Sequence, residues 1–185
     1  DIERSMRSIQ SSITKFRRMA EERKTSVGQS AFNLAITNCI SRGREAEALE
    51  MLDAIPKYDQ CDAVNEIDRN GSSLVHHIGW HDKRVLCKRI LAMKADPNRQ
   101  NLRKNTGLHL ACQRGNKAIC TMLALHGADL NVRNLDGFTP LDKISDEAER
   151  ARESKRLHKL QEGWKDEILD KMLASEMSGE EKSEL

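Results

Sequence analysis

Histidine and cysteine are the residue types in this chain whose spacing could bind a metal ion. The candidate ligands are His76, His77, His81 and Cys87 in one group and His109 and Cys112 in another. Spacings of three or four residues place side chains on one face of a helix, as a zinc site requires. However, the chain has no Cys-x-x-Cys pair, and its five cysteines form no disulfide-framework pattern. The sequence therefore favours structural roles for these residues and predicts no metal and no other cofactor.

Catalysis is not indicated either. A nucleophilic cysteine needs an exposed, electropositive site and an oriented histidine. The chain contains no Gly-rich phosphate loop and no G-x-S-x-G motif. We therefore expect a protein that is not an enzyme.

A period of 33 residues organises the middle of the chain. It recurs in the series Asn65, Asn98 and Asn131 and in the pairs Cys87 and Cys120, Leu108 and Leu141. A unit of this length holds two short helices and a turn, and it must stack on its neighbours because it cannot bury its apolar face alone. In this register Cys87, Cys112 and Cys120 are predicted to point into the packing.

The repeat is clearest between Thr106 and Asn131. It opens with T-G-L-H-L-A from Thr106, has Gly115 at the end of the first helix and closes with G-A-D-L-N from Gly127. Asn116 is expected to cap the second helix. This pattern resembles the ankyrin repeat. The resemblance implies an all-α solenoid that binds other proteins, with His109 hydrogen-bonded between neighbouring repeats.

The two full repeats depart from the ankyrin pattern in several places. In the first, Ser72-Ser73 is expected at the Thr-Pro position, one extra residue is expected near Trp80, and Lys94 replaces a glycine. In the second, Lys104 replaces a turn glycine and Gly107 replaces the usual proline.

The predicted organisation has four parts. They are an N-terminal amphipathic helix (1–27), a repeat domain (28–145), a C-terminal amphipathic helix (146–178) and an acidic tail (179–185). The repeat domain is expected to hold a degenerate first repeat (31–67), two full repeats (68–101 and 102–134) and a partial one (135–145). Thr25–Ser30, which contains Gly28, is predicted to break the chain between helices.

Both flanking helices have apolar stripes. The N-terminal stripe has heptad spacing and consists of Ile2, Met6, Ile9, Ile13, Phe16 and Ala20. The C-terminal stripe consists of Leu157, Leu160, Trp164, Ile168, Met172 and Leu173. Ile9, Ile13, Phe16, Leu160, Trp164 and Ile168 are the expected contact positions. The sequence leaves open whether the stripes pack on this chain's own solenoid or on a partner's helix.

Composition excludes some classes of protein and indicates a compartment. Aromatic residues make up 3% of the chain, so a β-sandwich or barrel is disfavoured. No apolar run is long enough to predict a membrane span. The odd number of cysteines indicates reduced thiols and predicts a cytoplasmic protein, with cytoskeletal or ciliary association as the narrower expectation. A cleaved targeting peptide remains open, because it would leave no trace in this sequence.

Charge is unevenly distributed. Residues 68–135 contain 12 lysines and arginines and four acids, a net charge of +8, whereas residues 146–185 contain 12 acids and eight bases, a net charge of −4. A basic solenoid would attract an acidic protein surface and accelerate the encounter. The predicted partner is therefore a protein with an acidic surface.

The resemblance also indicates the contact residues, because ankyrin repeats meet partners with their turn tips and the ends of their first helices. The tips supply Arg69, Asn70, Arg99, Gln100, Arg103, Lys104, Arg133 and Asn134, and the helix ends supply Trp80, His81, Gln113 and Arg114. The arginines at positions 69, 99, 103 and 133 are expected at or near one position of successive repeats. Lys83, Arg84, Lys88 and Arg89 are expected on the opposite, outer wall.

Three functional hypotheses remain. The chain could be a free adaptor, or a fixed subunit of a larger assembly with acidic surfaces, such as a cytoskeletal or axonemal complex. As a further alternative, its basic body could associate with nucleic acid or a ribonucleoprotein. Aromatic residues that could stack on bases are nearly absent from the repeats, which disfavours this alternative.

Overall fold

The computed structural model describes residue 14 and residues 26–180, with side chains described for Thr14 and residues 33–163. Within this part the regular structure is entirely helical. Ile9, Ile13 and Phe16 of the N-terminal stripe lie outside the described residues. So do the side chains of Trp164 and Ile168.

The described residues form eight α-helices and two single 3₁₀ turns. The α-helices are α1 (Ser26–Ser41), α2 (Glu45–Asp53), α3 (Gln60–Val64), α4 (Leu74–His81), α5 (Arg84–Ala92), α6 (Gly107–Gln113), α7 (Lys117–Leu125) and α8 (Glu147–Glu180). The 3₁₀ turns cover Lys57–Asp59 and Leu141–Lys143.

The helices stack in two layers. The first layer runs α1, α4, α6 and the turn Leu141–Lys143, and the second runs α2, α5, α7 and α8. One continuous apolar core lies between the layers, with residues such as Ile78, Leu108, Ile119 and Leu123 almost fully buried. This two-layer stack is the predicted all-α solenoid.

The start of α1 corrects one prediction. The helix begins at Ser26 and continues through Gly28, so the predicted break over Thr25–Ser30 is wrong from Ser26 onward. One glycine inside a helix costs only about 1 kcal/mol, which neighbouring helical residues and packing can offset. The helix therefore crosses the domain boundary expected at residues 27 and 28.

The register of the first full repeat corrects another prediction. Ser73, not Ser72, is the N-cap of α4, and its backbone N–H donates to His76 Nδ1 at 3.1 Å. Thr106 and His109 do the same at the start of α6, 33 residues later. Ser73-Leu74 therefore occupies the Thr-Pro position, and no extra residue lies near Trp80. The sequence comparison was wrong by one residue because two adjacent serines can each cap a helix.

Two glycines let the first-layer helices approach closely. A Cβ on Gly79 would lie 2.5 Å from Gly107 O, and a Cβ on Gly107 would lie 2.5 Å from Val75 Cγ1. No larger residue fits either position without a shift of the helices. This explains why Gly107 stands where the ankyrin pattern has proline.

The last helix covers the C-terminal end of the stack. Asp146 Oδ1 accepts from the backbone N–H of Ala148 at 2.9 Å, which caps α8. Leu157 is completely buried, Leu160 is partly buried, and Gln161 Nε2 donates to Ala128 O at 2.7 Å. The partial repeat therefore continues directly into α8, which takes the place of a second short helix.

Candidate protein-binding surface

Two buried histidines join neighbouring repeats. His76 Nε2 donates to Asn105 O at 2.9 Å, and His109 Nε2 donates to Phe138 O at 3.1 Å. In each case Nδ1 accepts from the backbone N–H of the N-cap residue, so the imidazole is held neutral with its proton on Nε2. Burial lowers the pKa of both histidines. The inter-repeat role expected for His109 is confirmed, and His76 shares it.

Asparagines form a second series of bonds between the repeats. Asn65 Oδ1 accepts from the N–H of Asp96 at 2.7 Å, and Asn98 Oδ1 accepts from the N–H of Asp129 at 2.7 Å. Asn98 Nδ2 also donates to Gly127 O at 2.9 Å. The 33-residue series therefore marks structural bonds.

Asn116 corrects the predicted capping role. It stands at the N-cap of α7, but its side chain makes no capping bond there. Instead, Nδ2 donates to Gly79 O at 2.7 Å in the preceding repeat. The side chain therefore links two repeats.

The turns between repeats share one geometry. Asp68, Asn101 and Asn134 occupy equivalent positions, and the Oδ1 of each accepts from backbone N–H groups two and four residues later. Adjacent turns are joined by Leu102 N–H donating to Asn70 O and by Leu135 N–H donating to Arg103 O, each at 3.0 Å. These bonds place the turn tips side by side along the stack.

The exposure of the predicted contact residues follows this geometry. The exposed ones are Arg69, Asn70, Trp80, Arg99, Gln100, Arg103, Lys104, Gln113, Arg114 and Arg133. His81 is half-buried, and burial lowers its pKa. Asn134 is 5% exposed and donates to Asn105 Oδ1, so its predicted role as a partner contact is wrong. Its carboxamide forms the turn itself.

The arginines of the predicted row stand at neighbouring register positions. Arg69, Arg99, Arg103 and Arg133 occupy four different but nearby positions of the 33-residue register. They are close together, because adjacent turns are hydrogen-bonded. The surface is a basic patch over the tips of the stack.

Sequence reasoning missed an apolar row within this patch. Leu102 is 71% exposed and Leu135 is 62% exposed at equivalent positions of successive turns, and Phe138 is 48% exposed beside them. The signal was visible, because leucine recurs at the position where the preceding repeat has Arg69. We call Leu102, Leu135 and the exposed cations Arg99, Arg103, Lys104 and Arg133 the tip surface.

The tip cations differ from several cations elsewhere. Among the described side chains, Arg99, Arg103, Lys104 and Arg133 take part in no ion pair. On the outer layer, by contrast, Arg84 pairs with Asp82, Arg89 with Asp53 and Lys117 with Glu149. Arg133 Nη1 donates to Gly137 O at 2.7 Å, but no carboxylate among the described side chains neutralises any of these four cations.

The N-terminal end of the patch opens into a groove. This groove of about 340 Å³ lies between α1 and the first turn, where Arg69, Asn70 and His77 line it. His77 Nε2 lies 3.0 Å from Asp68 Oδ2. His77 therefore pairs with a turn carboxylate.

The far ends of the first-layer helices form a smaller contact of their own. The Arg114 guanidinium lies over the Trp80 ring, 4.6 Å from its centroid. This stacking holds both side chains at the surface and joins two repeats. Both side chains are exposed, at the ends of the helices that lie opposite the turns.

The cysteines lie where the register predicted. Cys87, Cys112 and Cys120 are buried, and burial raises the pKa of the Cys87 thiol to about 12. Cys112 Sγ lies 3.6 Å from Cys120 Sγ, and this hydrogen bond together with burial raises the pKa of Cys112. Thiols held protonated in this way are poor nucleophiles.

Two further searches covered the described residues. They contain no cluster of three or more histidine, cysteine, aspartate or glutamate side chains arranged to hold a metal ion. Among the helices of residues 26–180, none is both long and apolar enough to cross a membrane.

Comparison with known proteins identifies the repeats. The family model for ankyrin repeats matches residues 75–147. A protein of Fowlpox virus (strain NVSL) named as an ankyrin repeat protein is 51% identical over 39 residues, which cover 21% of this chain and 11% of that protein. A protein of Rickettsia felis with the same kind of name is 33% identical over 93 residues, which cover 45% of this chain and 41% of that protein. This chain thus spans less than half the length of these relatives.

Proposed function

We propose that this chain, whose residues 75–147 match the family model for ankyrin repeats, is a non-catalytic binding subunit that meets an acidic protein surface with its tip surface. The observation that carries the proposal is that Arg99, Arg103, Lys104 and Arg133, on hydrogen-bonded, neighbouring turns, form no ion pair with any described side chain. Guanidinium groups bind carboxylates bidentately, which gives direction as well as attraction.

The magnitude of each contact favours a collective effect. An exposed ion pair contributes about 1 kcal/mol or less, so no single arginine can carry the affinity. Several positive charges on one patch accelerate the encounter, and salt weakens that effect. The proposed partner therefore associates quickly and in a salt-dependent manner.

Helix α8 helps to distinguish a free adaptor from a fixed subunit of a larger assembly. Helix α8 covers the C-terminal end of the stack through Leu157 and Gln161 and extends to Glu180. The apolar stripe that the sequence places on the rest of this helix, at Trp164, Ile168, Met172 and Leu173, offers a second attachment point. This favours a fixed subunit of a larger assembly, with a cytoskeletal or axonemal complex as an example, over a free adaptor.

Charge reversal tests the proposal. Proteins that copurify with the wild-type chain would be identified by mass spectrometry, and their binding kinetics would be measured by biolayer interferometry against R99E/R103E/R133E. We expect at least tenfold weaker binding, mainly through slower association, and a loss of the salt dependence. The matched control is K83E/R84E/K88E, which reverses three charges on the outer layer and should leave binding near the wild-type value.

Two outcomes would contradict the proposal. Equal binding by the tip and outer-layer variants would show that the patch is not the contact. Loss of binding only in L160E/I168E, with no influence of salt, would assign the attachment to the apolar stripe of α8.

A further inference from the structure

The tip surface combines exposed apolar side chains with unpaired charge. Within the described part of the chain eight large apolar residues are exposed, and four of them, Ile67, Leu102, Leu135 and Phe138, lie in the turns. Apolar residues on solvent-exposed turns add nothing to the core, and grouped ones mark contact sites on soluble proteins. An acidic partner alone does not explain them.

From this combination we infer that the tip surface binds an amphipathic acidic helix of another protein, with the helix axis along the stack. The inference rests on the proposed function and specifies its partner. The apolar face of the helix would cover Leu102 and Leu135, and its acidic flanks would meet Arg103, Lys104 and Arg133.

The spacing of the leucines favours a helix. Leu102 and Leu135 occupy equivalent positions of adjacent repeats, which stack about 10 Å apart, as packed helices do. Residues seven apart on an α-helix lie on one face and are separated by about 10.5 Å. On a β-strand, residues that share a face lie roughly 6.6 Å or 13 Å apart. A strand with one apolar side chain over Leu102 would therefore have no apolar side chain directly over Leu135.

The positions of the charges support the same orientation. Arg103 and Lys104 follow Leu102 directly, and Arg133 precedes Leu135 by two residues, so cations flank the leucines along the chain. A helix whose apolar stripe is bordered by glutamate and aspartate would match this arrangement, as charged residues border the seam of a coiled coil. Glutamate also favours helix formation, so acidic character and helix are compatible.

Two other occupants match the surface less well. The phosphate backbone of a nucleic acid would satisfy the arginines but has no apolar face to cover two leucines. Helix α8 of the same chain packs on α7 and on the turn Leu141–Lys143, at the end of the stack. The tip surface thus remains uncovered by any described part of the chain.

Designed peptides test the inference on the 185-residue chain. The first is an acidic helical peptide of about 18 residues with leucines at positions i and i+7, and the second has the same composition with the second leucine moved to i+9, on the opposite face. Fluorescence anisotropy would measure the binding of each. We expect the first peptide to bind at least tenfold more tightly than the second, and L102S/L135S to remove this preference.

Controls separate contact from folding and from charge. L102S/L135S should keep the wild-type unfolding midpoint because both side chains are exposed, and L102Q/L135Q, which retains more side-chain volume, repeats the test if the serine variant unfolds early. R103E/R133E should weaken binding of the first peptide at least tenfold. A variant with an unrelated exposed apolar residue replaced, Val85→Ser, should bind as the wild type does.

The outcomes distinguish this inference from the proposed function. Equal binding of the two peptides, or full binding by L102S/L135S, overturns the inference. If R99E/R103E/R133E still loses the copurified partner in that case, the proposed function stands. Sedimentation velocity should show a monomer. If it shows a dimer instead, and L102S/L135S dissociates that dimer, the tip surface binds a second copy of this chain and the inference is overturned.

Discussion

We call the contacts between neighbouring repeats the seams. The seams and the turn tips differ in how strictly their residues follow the 33-residue period. At the seams, the same chemistry recurs in successive repeats: His76 and His109 make equivalent bonds, and so do Asn65 and Asn98. At the tips, equivalent positions can hold different residues, as in the series Ile67, Gln100 and Arg133. Positions that recur maintain the stack, and positions that vary are free to determine the partner. The predictions below test this division through stability.

The C-terminal seam should give the largest effect. Removal of residues 146–185 would delete Leu157, Leu160 and Gln161. The apolar surface that the two leucines cover would become exposed, and both hydrogen bonds of Gln161 would be lost. We expect the free energy of unfolding to fall by about 4 kcal/mol, because a fully buried leucine contributes about 1.5–3 kcal/mol and the bonds add to it. Urea unfolding measures it. A chain that ends at residue 163 keeps these contacts, so its free energy of unfolding should stay close to that of the whole chain. Equal decreases in the two truncated chains would show that the contacts of residues 146–163 do not stabilise the stack.

Replacement of a seam histidine should come next. His109→Ala removes one bond to Phe138 O and the bond at Nδ1, and it leaves a small cavity. We expect a loss of about 2–3 kcal/mol in the free energy of unfolding. His158→Ala is the control, since that exposed side chain bonds only within its own helix. A seam role predicts a large difference between the two variants, and similar thermal unfolding of both would refute it.

Acid should weaken the seams. Burial lowers the pKa of His76 and His109, so below about pH 6.5 the unfolded chain binds protons that the folded chain does not. Stability is therefore fully present above pH 6.5 and falls as the pH falls below it, by up to about 1.4 kcal/mol per pH unit for each histidine. Urea midpoints between pH 8 and pH 5.5 measure the slope. His109→Ala should reduce the slope by about half, and an unchanged slope would show that other groups cause it.

The asparagine series offers a matched pair with a smaller effect. Asn98→Ala removes two bonds to the next repeat, to Asp129 N–H and Gly127 O. Asn131 is its equivalent at the end of the series. The region that would hold its partner in a further repeat belongs to helix α8. We expect a loss of about 1–2 kcal/mol for Asn98→Ala and less than about 0.5 kcal/mol for Asn131→Ala, measured by chemical unfolding. Equal values would mean that the bonds between repeats add nothing.

The smallest effect should be found at the tips. Lys104 has φ 55° at the position where the neighbouring turns have Gly71 and Gly137, whose φ values are also positive. Lys104→Gly should therefore raise the free energy of unfolding by about 1 kcal/mol, because a side chain is strained in this conformation. Arg103→Gly is the control and should bring no gain. An unchanged midpoint for Lys104→Gly would mean that the strain is already relieved in this turn.

Much of the stack could be predicted from the printed sequence. The 33-residue interval, the glycine positions and the apolar spacing predicted the all-α solenoid and the buried cysteines. The resemblance to the ankyrin repeat implied the inter-repeat role of His109 and glycine positions at Lys94 and Lys104, both of which have positive φ. These features are local or periodic, so a single sequence displays them.

The candidate site was less predictable. Asn134 was expected at the surface because the resemblance places it at a turn tip, yet its side chain turns inward to bond two backbone N–H groups. The exposed leucines were missed because a leucine in a repeat usually belongs to the core. Which way a turn side chain points depends on the turn's own hydrogen bonds, and these do not follow the period of the helices.

The sequence by itself determined the repeat, its period, the net positive charge of the body and the long C-terminal helix, because each depends on residue type and spacing along the chain. Only the tertiary structure decided which serine caps α4, which of the described cations form no ion pair and which leucines face solvent. Those properties depend on the distance between residues about 33 positions apart. That distance is set by the close approach of the helices at Gly79 and Gly107 and by the bonds between adjacent turns.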